Sequence, residues 1–229
     1  VGILNEKYDQ QELILKKTVT AAAITANEKT GEKEILPAYK KLYAENPDMI
    51  GWVKIEGTRL DYPVMQTKNE NEYYLHRNFK KEYQYSGLPF LDAQCDIDKP
   101  STNLMIYGHN MKSESMFSCL TKYTKEEYYK AHPVIRFDTI YEEAEYQIVA
   151  VVLSKVYKKT EDVFKFYQFY QADSEEEFND YILNMKQLSL YDTGIDAFYG
   201  DSLLTLVTCS YHTENGRIAL LAKKINDTE

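Results

Sequence analysis

Leu203-Leu204-Thr205-Leu206-Val207-Thr208-Cys209, then Ser210 to Gly216, then Arg217-Ile218-Ala219-Leu220-Leu221, is the stretch that decides this chain. An apolar run with β-branched residues delivers a cysteine at its C-terminal end. The loop closes on Asn215-Gly216, a turn signal, and returns the chain into a second strand that opens with an arginine. A thiol beside a guanidinium on a hairpin pairs a nucleophile with a donor for an oxyanion. The remaining sequence then has to supply a base.

Composition narrows the setting. A hydrophobic content of 44% and a charged content of 28% fit an ordinary globular protein with a substantial core. The net charge of −9 argues against nucleic-acid binding, which needs a basic face. Of the three cysteines, Cys95, Cys119 and Cys209, at least one has no disulfide partner, and no Cys-x-x-Cys spacing occurs. Twenty-one tyrosines read first as surface-exposed β structure, and second as contact area for an extended ligand. No run approaches the ~18 consecutive apolar residues of a membrane span, and no signal peptide is visible. The start at Val1 without an initiator Met leaves room for an N-terminal anchor upstream.

Residues from about Asn5 to Ala26 read as a helix with Leu13, Lys16, Lys17 and Thr20 on one face. Asn27 to Glu34 reads as a polar break. A second helix is expected from about Leu36 to Glu45, with Pro37 in its first turn. The first 35 residues are thus expected to form a helical appendage, with the main domain over 36–229. From Ile50 on, short strands and turns take over: Gly51–Ile55, Leu60–Val64, Leu88–Leu91, Asn103–Tyr107, Val134–Thr139 and Glu145–Tyr157. That pattern fits a barrel or a sandwich. Ser174 with Glu175-Glu176-Glu177 reads as a capped, acidic first turn, and Phe178, Tyr181, Ile182 and Met185 as one apolar helix stripe for the core.

His109 is the best base, because it ends the strand Asn103–Tyr107 just after Gly108, a residue that permits close approach or unusual dihedrals. His212 competes, three residues after Cys209, but sits in the loop. His76 and His132 read as surface or locally hydrogen-bonded. No histidine pair has metal-ligand spacing, so neither a metal nor another cofactor is expected.

With these residues assembled, the sequence resembles the sortases, Gram-positive surface transpeptidases, and among them class B. Thr205–Cys209 matches the family's TLxTC motif, and Arg217 falls where its arginine belongs. Ile106-Tyr107-Gly108-His109-Asn110-Met111, followed by Met116-Phe117, is similar to the class B YGHNM box. Gly51–Ile55 and Leu60–Val64 resemble the class B entry strands, and the helix from Ser174 to Gln187 sits where that class inserts one. Gly87-Leu88-Pro89-Phe90-Leu91-Asp92 departs from the Gly-Ser-hydrophobic-Phe version of many members. The similarity spans about residues 36–225.

The resemblance implies a mainly β (α+β) fold: an eight-stranded sortase β-barrel with N-terminal helices and a helix inserted before the nucleophile strand. It implies catalysis by His109, Cys209 and Arg217 through a thioester, with a backbone N–H near Ser210 as a second oxyanion donor. Asn71, Leu75, Tyr107 and Ser210 are the expected substrate-binding residues. The implied partners are a sorting-signal peptide of surface proteins, NPxTN-like or (S/P)PxTG-like, and an amine of a peptidoglycan precursor. The implied place is the outer face of the cell membrane, held by the anchor upstream. A pilus-polymerising enzyme of the same class, a cysteine protease and a non-catalytic adhesin domain are the alternatives.

Overall fold

The computed structural model describes residues 2–22 and 33–225. Eight strands close a barrel in the order β1-β2-β3-β4-β7-β8-β6-β5, with β5 pairing back onto β1. They are β1 (Met49–Lys54), β2 (Asp61–Met65), β3 (Phe90–Leu91), β4 (Asn103–Tyr107), β5 (Val134–Thr139), β6 (Glu145–Lys155), β7 (Leu203–Cys209) and β8 (Gly216–Lys224). Four α-helices among the described residues accompany them: α1 (Gly2–Ala22), α2 (Pro37–Glu45), α3 (Glu126–Ala131) and α4 (Glu175–Leu188). None of the described helices is long and apolar enough to cross a membrane.

The barrel follows from the strand sequences. Leu203 to Thr208 of β7 are all buried, as are Ile218 to Ala222 of β8. Such continuous apolar runs belong to strands covered on both faces. The outer cover comes from α4 against β6 and from the 3-10 turn Ser118–Thr124 against β8. In α4 the expected stripe is the buried one, Phe178, Tyr181, Ile182 and Met185, and Ser174 Oγ accepts the N–H of Glu177 as the cap.

Helix α1 lies along α2 and β2. Its contact face is the one the sequence marks out. Leu13 is buried, Lys16 pairs with Glu45 at 2.7 Å, and Lys17 lies 4.8 Å from the Trp52 ring and 3.9 Å from Asp138. Burial holds the Lys17 ammonium below its ordinary value, and Asp138 offsets part of that. Ala23 to Ala26 of the expected first helix, and most of the polar break after it, lie outside the described residues.

Three differences from the sequence reading are physical. Helix α3 is too short for periodicity to reveal. The expected strand Leu88–Leu91 shrinks to two residues, because Leu88 spends its N–H on the Tyr74 carbonyl in a turn. The tyrosines are not mainly surface β structure: Tyr39, Tyr62, Tyr74, Tyr123, Tyr129, Tyr146 and Tyr181 are buried. Most of these hydroxyls find partners, such as Tyr39 Oη donating to Asp138 at 2.5 Å, so a large ring can enter the core with its polar atom paired.

Candidate active site

Strand pairing brings the chemistry together. β4 and β7 run parallel, and their register steps from Asn103↔Leu203 to Tyr107↔Val207 without a break. Two residues further along each strand stand His109 and Cys209, so both leave the barrel at the same end. Three bonds carry the pairing past the regular ladder. Gly108 N–H donates to Val207 O at 3.2 Å, Thr208 Oγ1 to Gly108 O at 2.6 Å, and Asn110 Nδ2 to Cys209 O at 3.0 Å. On the other side of β7, Cys209 is paired directly with Arg217 of β8.

These three residues share a cleft of about 340 Å³ with Asn71, Leu75 and Tyr107. Its remaining walls include Asp92 and, from the segment before α4, Val156, Phe166 and Tyr167. Ser210 is placed differently: it does not line the cleft, its N–H donates to Gly216 O at 2.9 Å, and its Oγ meets His212 Nδ1. The Ser210 N–H is therefore already committed, and an oxyanion site on this framework rests on Arg217. That guanidinium uses Nη1 to donate to the carbonyls of Asn215 and Gly216, at 3.3 and 2.9 Å.

His109 has a fixed tautomer. Its Nε2 lies 2.9 Å from the Leu75 carbonyl, which can only accept, so Nε2 carries the proton and Nδ1 is left as the basic nitrogen. Burial, ahead of the neighbouring His76, holds the imidazole below its ordinary value of 6.5, although the Leu75 bond opposes this. The ring is neutral at neutral pH and ready to accept a proton. It stacks on His76 with centroids 5.2 Å apart, and on Tyr85 at 6.1 Å and 8°.

Of the three thiols, only Cys209 is not buried. Burial pushes the Cys95 thiol up to about 12 and Cys119 to about 11, which keeps both protonated and inert. His212, the competing base, stands in the exposed loop, and His132 Nδ1 is 2.9 Å from Glu56 O.

Several contributors escape sequence reasoning. Leu75 acts through its backbone, which no side-chain pattern reveals. His76, expected at the surface or in a local hydrogen bond, makes the local bond, with Nδ1 2.9 Å from Tyr85 O, and its ring also stacks on His109. Asp92 is buried beside the cleft, where one carboxylate oxygen accepts from Asn71 Nδ2 at 3.3 Å and Tyr170 Oη at 3.2 Å. Asn110 was legible as part of a motif, but its role as a tie on the nucleophile's carbonyl was not.

Comparison with known proteins gives the family and the fold. The family model described as Sortase domain matches residues 53–225. Sortase B of Listeria monocytogenes is 34% identical over 230 residues, covering 97% of this chain and 87% of that protein. A Staphylococcus aureus sortase B–substrate complex superposes with a TM-score of 0.82 at 25% identity, covering 98% of both chains. A sortase B complexed with triglycine gives a TM-score of 0.83 at 25% identity, over 98% of this chain and 99% of that one.

Proposed function

Since the chain belongs to the sortase family, and is a class B cysteine transpeptidase of cell-wall sorting, we propose that Cys209, His109 and Arg217 carry out its reaction through a thioester. Family membership sets aside the adhesin reading. The observation that carries the assignment is the unbroken β4–β7 register, which sets the imidazole and the thiol at one end of the barrel.

The steps follow from the groups present. Neutral His109 takes the Cys209 proton, and the thiolate attacks the carbonyl carbon of the scissile peptide bond. A C–S bond forms, and the carbonyl oxygen becomes an oxyanion beside Arg217. A well-placed donor of this kind contributes ~3 kcal/mol at the transition state, and a guanidinium stays charged at any working pH. When the C–N bond breaks, imidazolium returns its proton to the leaving amine. The resulting thioester is attacked by an acceptor amine, whose nitrogen loses a proton to His109 as the C–S bond breaks.

The peptide is a sorting signal, bound along the cleft walls formed by Asn71, Leu75 and Tyr107, with Asp92, itself held by Tyr170, fixing the Asn71 amide. The acceptor is a peptidoglycan amine. The relatives solved with a substrate and with triglycine support these two partner classes. NPxTN-like and (S/P)PxTG-like signals are the motifs to test, and a place on the outer face of the membrane agrees with such partners.

The direct test is intact-protein mass spectrometry after mixing with signal peptides of both types. An adduct of the acyl fragment on Cys209, absent from Cys209→Ala and released by an amine, is expected. Amine-dependent product from Cys209→Ala would refute the assignment.

A further inference from the structure

Behind His109 lies a second opening, separate from the peptide cleft. It is a groove of about 540 Å³ between α1 and the segment 78–86. Its walls carry the carboxylates of Glu6, Asp9 and Glu82 and the rings of Tyr8, Tyr83 and Tyr85. Lys80 is the one cationic side chain among the described residues lining it. The three tyrosines are unusually open to solvent, at 68%, 79% and 66% exposure, in a chain that buries many of its other tyrosines.

Glu6 gives the independent sign of a ligand. Only 8% of it is exposed, and its Oε1 is buried with no hydrogen-bond partner. A buried carboxylate oxygen without a donor is costly, and a turn of the Glu6 side chain towards a cation in the groove would relieve that cost. Glu6, Asp9 and Lys80 also line an adjoining recess of about 30 Å³, room for a group the size of a water or an ammonium. Carboxylates set among exposed aromatic faces are the chemistry that holds alkylammonium groups.

The groove also lies next to the residues that hold His109. Tyr85, on its wall, stacks on His109, and its carbonyl lies 2.9 Å from His76 Nδ1. Met111, two residues beyond His109, lines the same groove.

We infer that this groove captures the amine acceptor in its ammonium form, with Glu6 and Glu82 facing the charge and Tyr83 and Tyr85 flanking the chain that bears it. The inference rests on the transpeptidase reading above. On leaving the groove the ammonium gives one proton to neutral His109. Imidazolium releases that proton to solvent, the nitrogen bonds to the thioester carbonyl, and as the C–S bond breaks the nitrogen's second proton passes through His109 to the Cys209 sulfur.

The test measures how the acyl-enzyme partitions between amine and water, a ratio independent of how much enzyme is folded and of the acylation rate. The probes are Nα-acetyl-lysine amide, cationic at neutral pH, and hydroxylamine, which is uncharged there. Glu6→Gln on one wall and Glu82→Gln on the other are each expected to lower the lysine-amide-to-water ratio about fivefold, the scale of one ammonium contact. The hydroxylamine ratio is expected to stay within about twofold of wild type, because an uncharged nucleophile gains nothing from the carboxylates. A lysine-amide ratio unchanged in both variants overturns the inference, and so does an equal fall with both nucleophiles, which would mark a merely structural role. Failure of the transpeptidase reading looks different, since wild-type enzyme would then form no adduct with either nucleophile, and the inference falls with it.

Discussion

Gly108→Ala is the sharpest probe of how the barrel positions its base. A Cβ at this position would lie 2.7 Å from Phe117 Cγ and 2.9 Å from both Cδ atoms, well inside contact distance. Phe117 is fully buried and cannot swing out to solvent, and its N–H donates to His109 O at 2.9 Å. The collision therefore pushes either on the core or on the peptide that carries the imidazole. Overpacking of this kind costs about 1–3 kcal/mol. In a domain of this size each kcal/mol lowers Tm by roughly 2–4 °C. A shift of ~1 Å at the histidine lowers the rate of peptide cleavage by ~10²-fold. Thermal unfolding and signal-peptide cleavage should both be followed in Gly108→Ala, in Phe117→Leu and in the double variant. The smaller leucine gives the new methyl space, so the double variant should lose less than the two single losses added together. A Gly108→Ala protein with wild-type Tm and rate, or strict additivity in the double variant, would refute the close-approach argument.

The thiols should separate under a methanethiosulfonate reagent: Cys209 reacts and activity is lost, while Cys95 and Cys119 stay unlabelled in the folded protein. Mass mapping of modified peptides checks this, and fast labelling of either buried thiol would contradict it. Arg217→Lys keeps the charge but loses the fixed plane of donors, so cleavage should fall by about 10²-fold, the effect of one oxyanion donor; a near-wild-type rate counts against the role. His109 is held below its ordinary 6.5 by burial, so the native state binds fewer protons than the unfolded chain. Its contribution to stability is complete above pH 6.5 and is lost as pH falls through that value towards the folded one. Over that range wild type should lose Tm more steeply than His109→Gln, and parallel pH profiles would rule out burial as the cause.

The limits of sequence reading show in particular residues. β4, β5 and β7 were legible to their ends, because apolar and β-branched runs bounded by Gly, Pro and Asn leave few other conformations. Gly108 was legible as special, but not in which way. It has no left-handed φ, and what demands glycine there is the Phe117 ring packed over it. His76 was legible as surface or locally hydrogen-bonded, and its bond to Tyr85 O agrees, but nothing local predicts a stack with a histidine 33 positions away. Ser210 was a reasonable donor by position, yet the hairpin itself takes up its N–H.

The sequence alone determined the family and, through it, the barrel class, and it singled out Cys209, His109 and Arg217 as candidates, since these rest on residue types and on spacing within single strands. Only the tertiary structure decided which carbonyl fixes the histidine tautomer, that Asp92, itself held by Tyr170, accepts from Asn71, and that α1 closes a carboxylate-lined groove behind His109. The reason is one of range. Strand and helix preferences act over a few neighbouring residues, whereas these features join segments tens of residues apart, whose meeting is set by the register of a closed barrel.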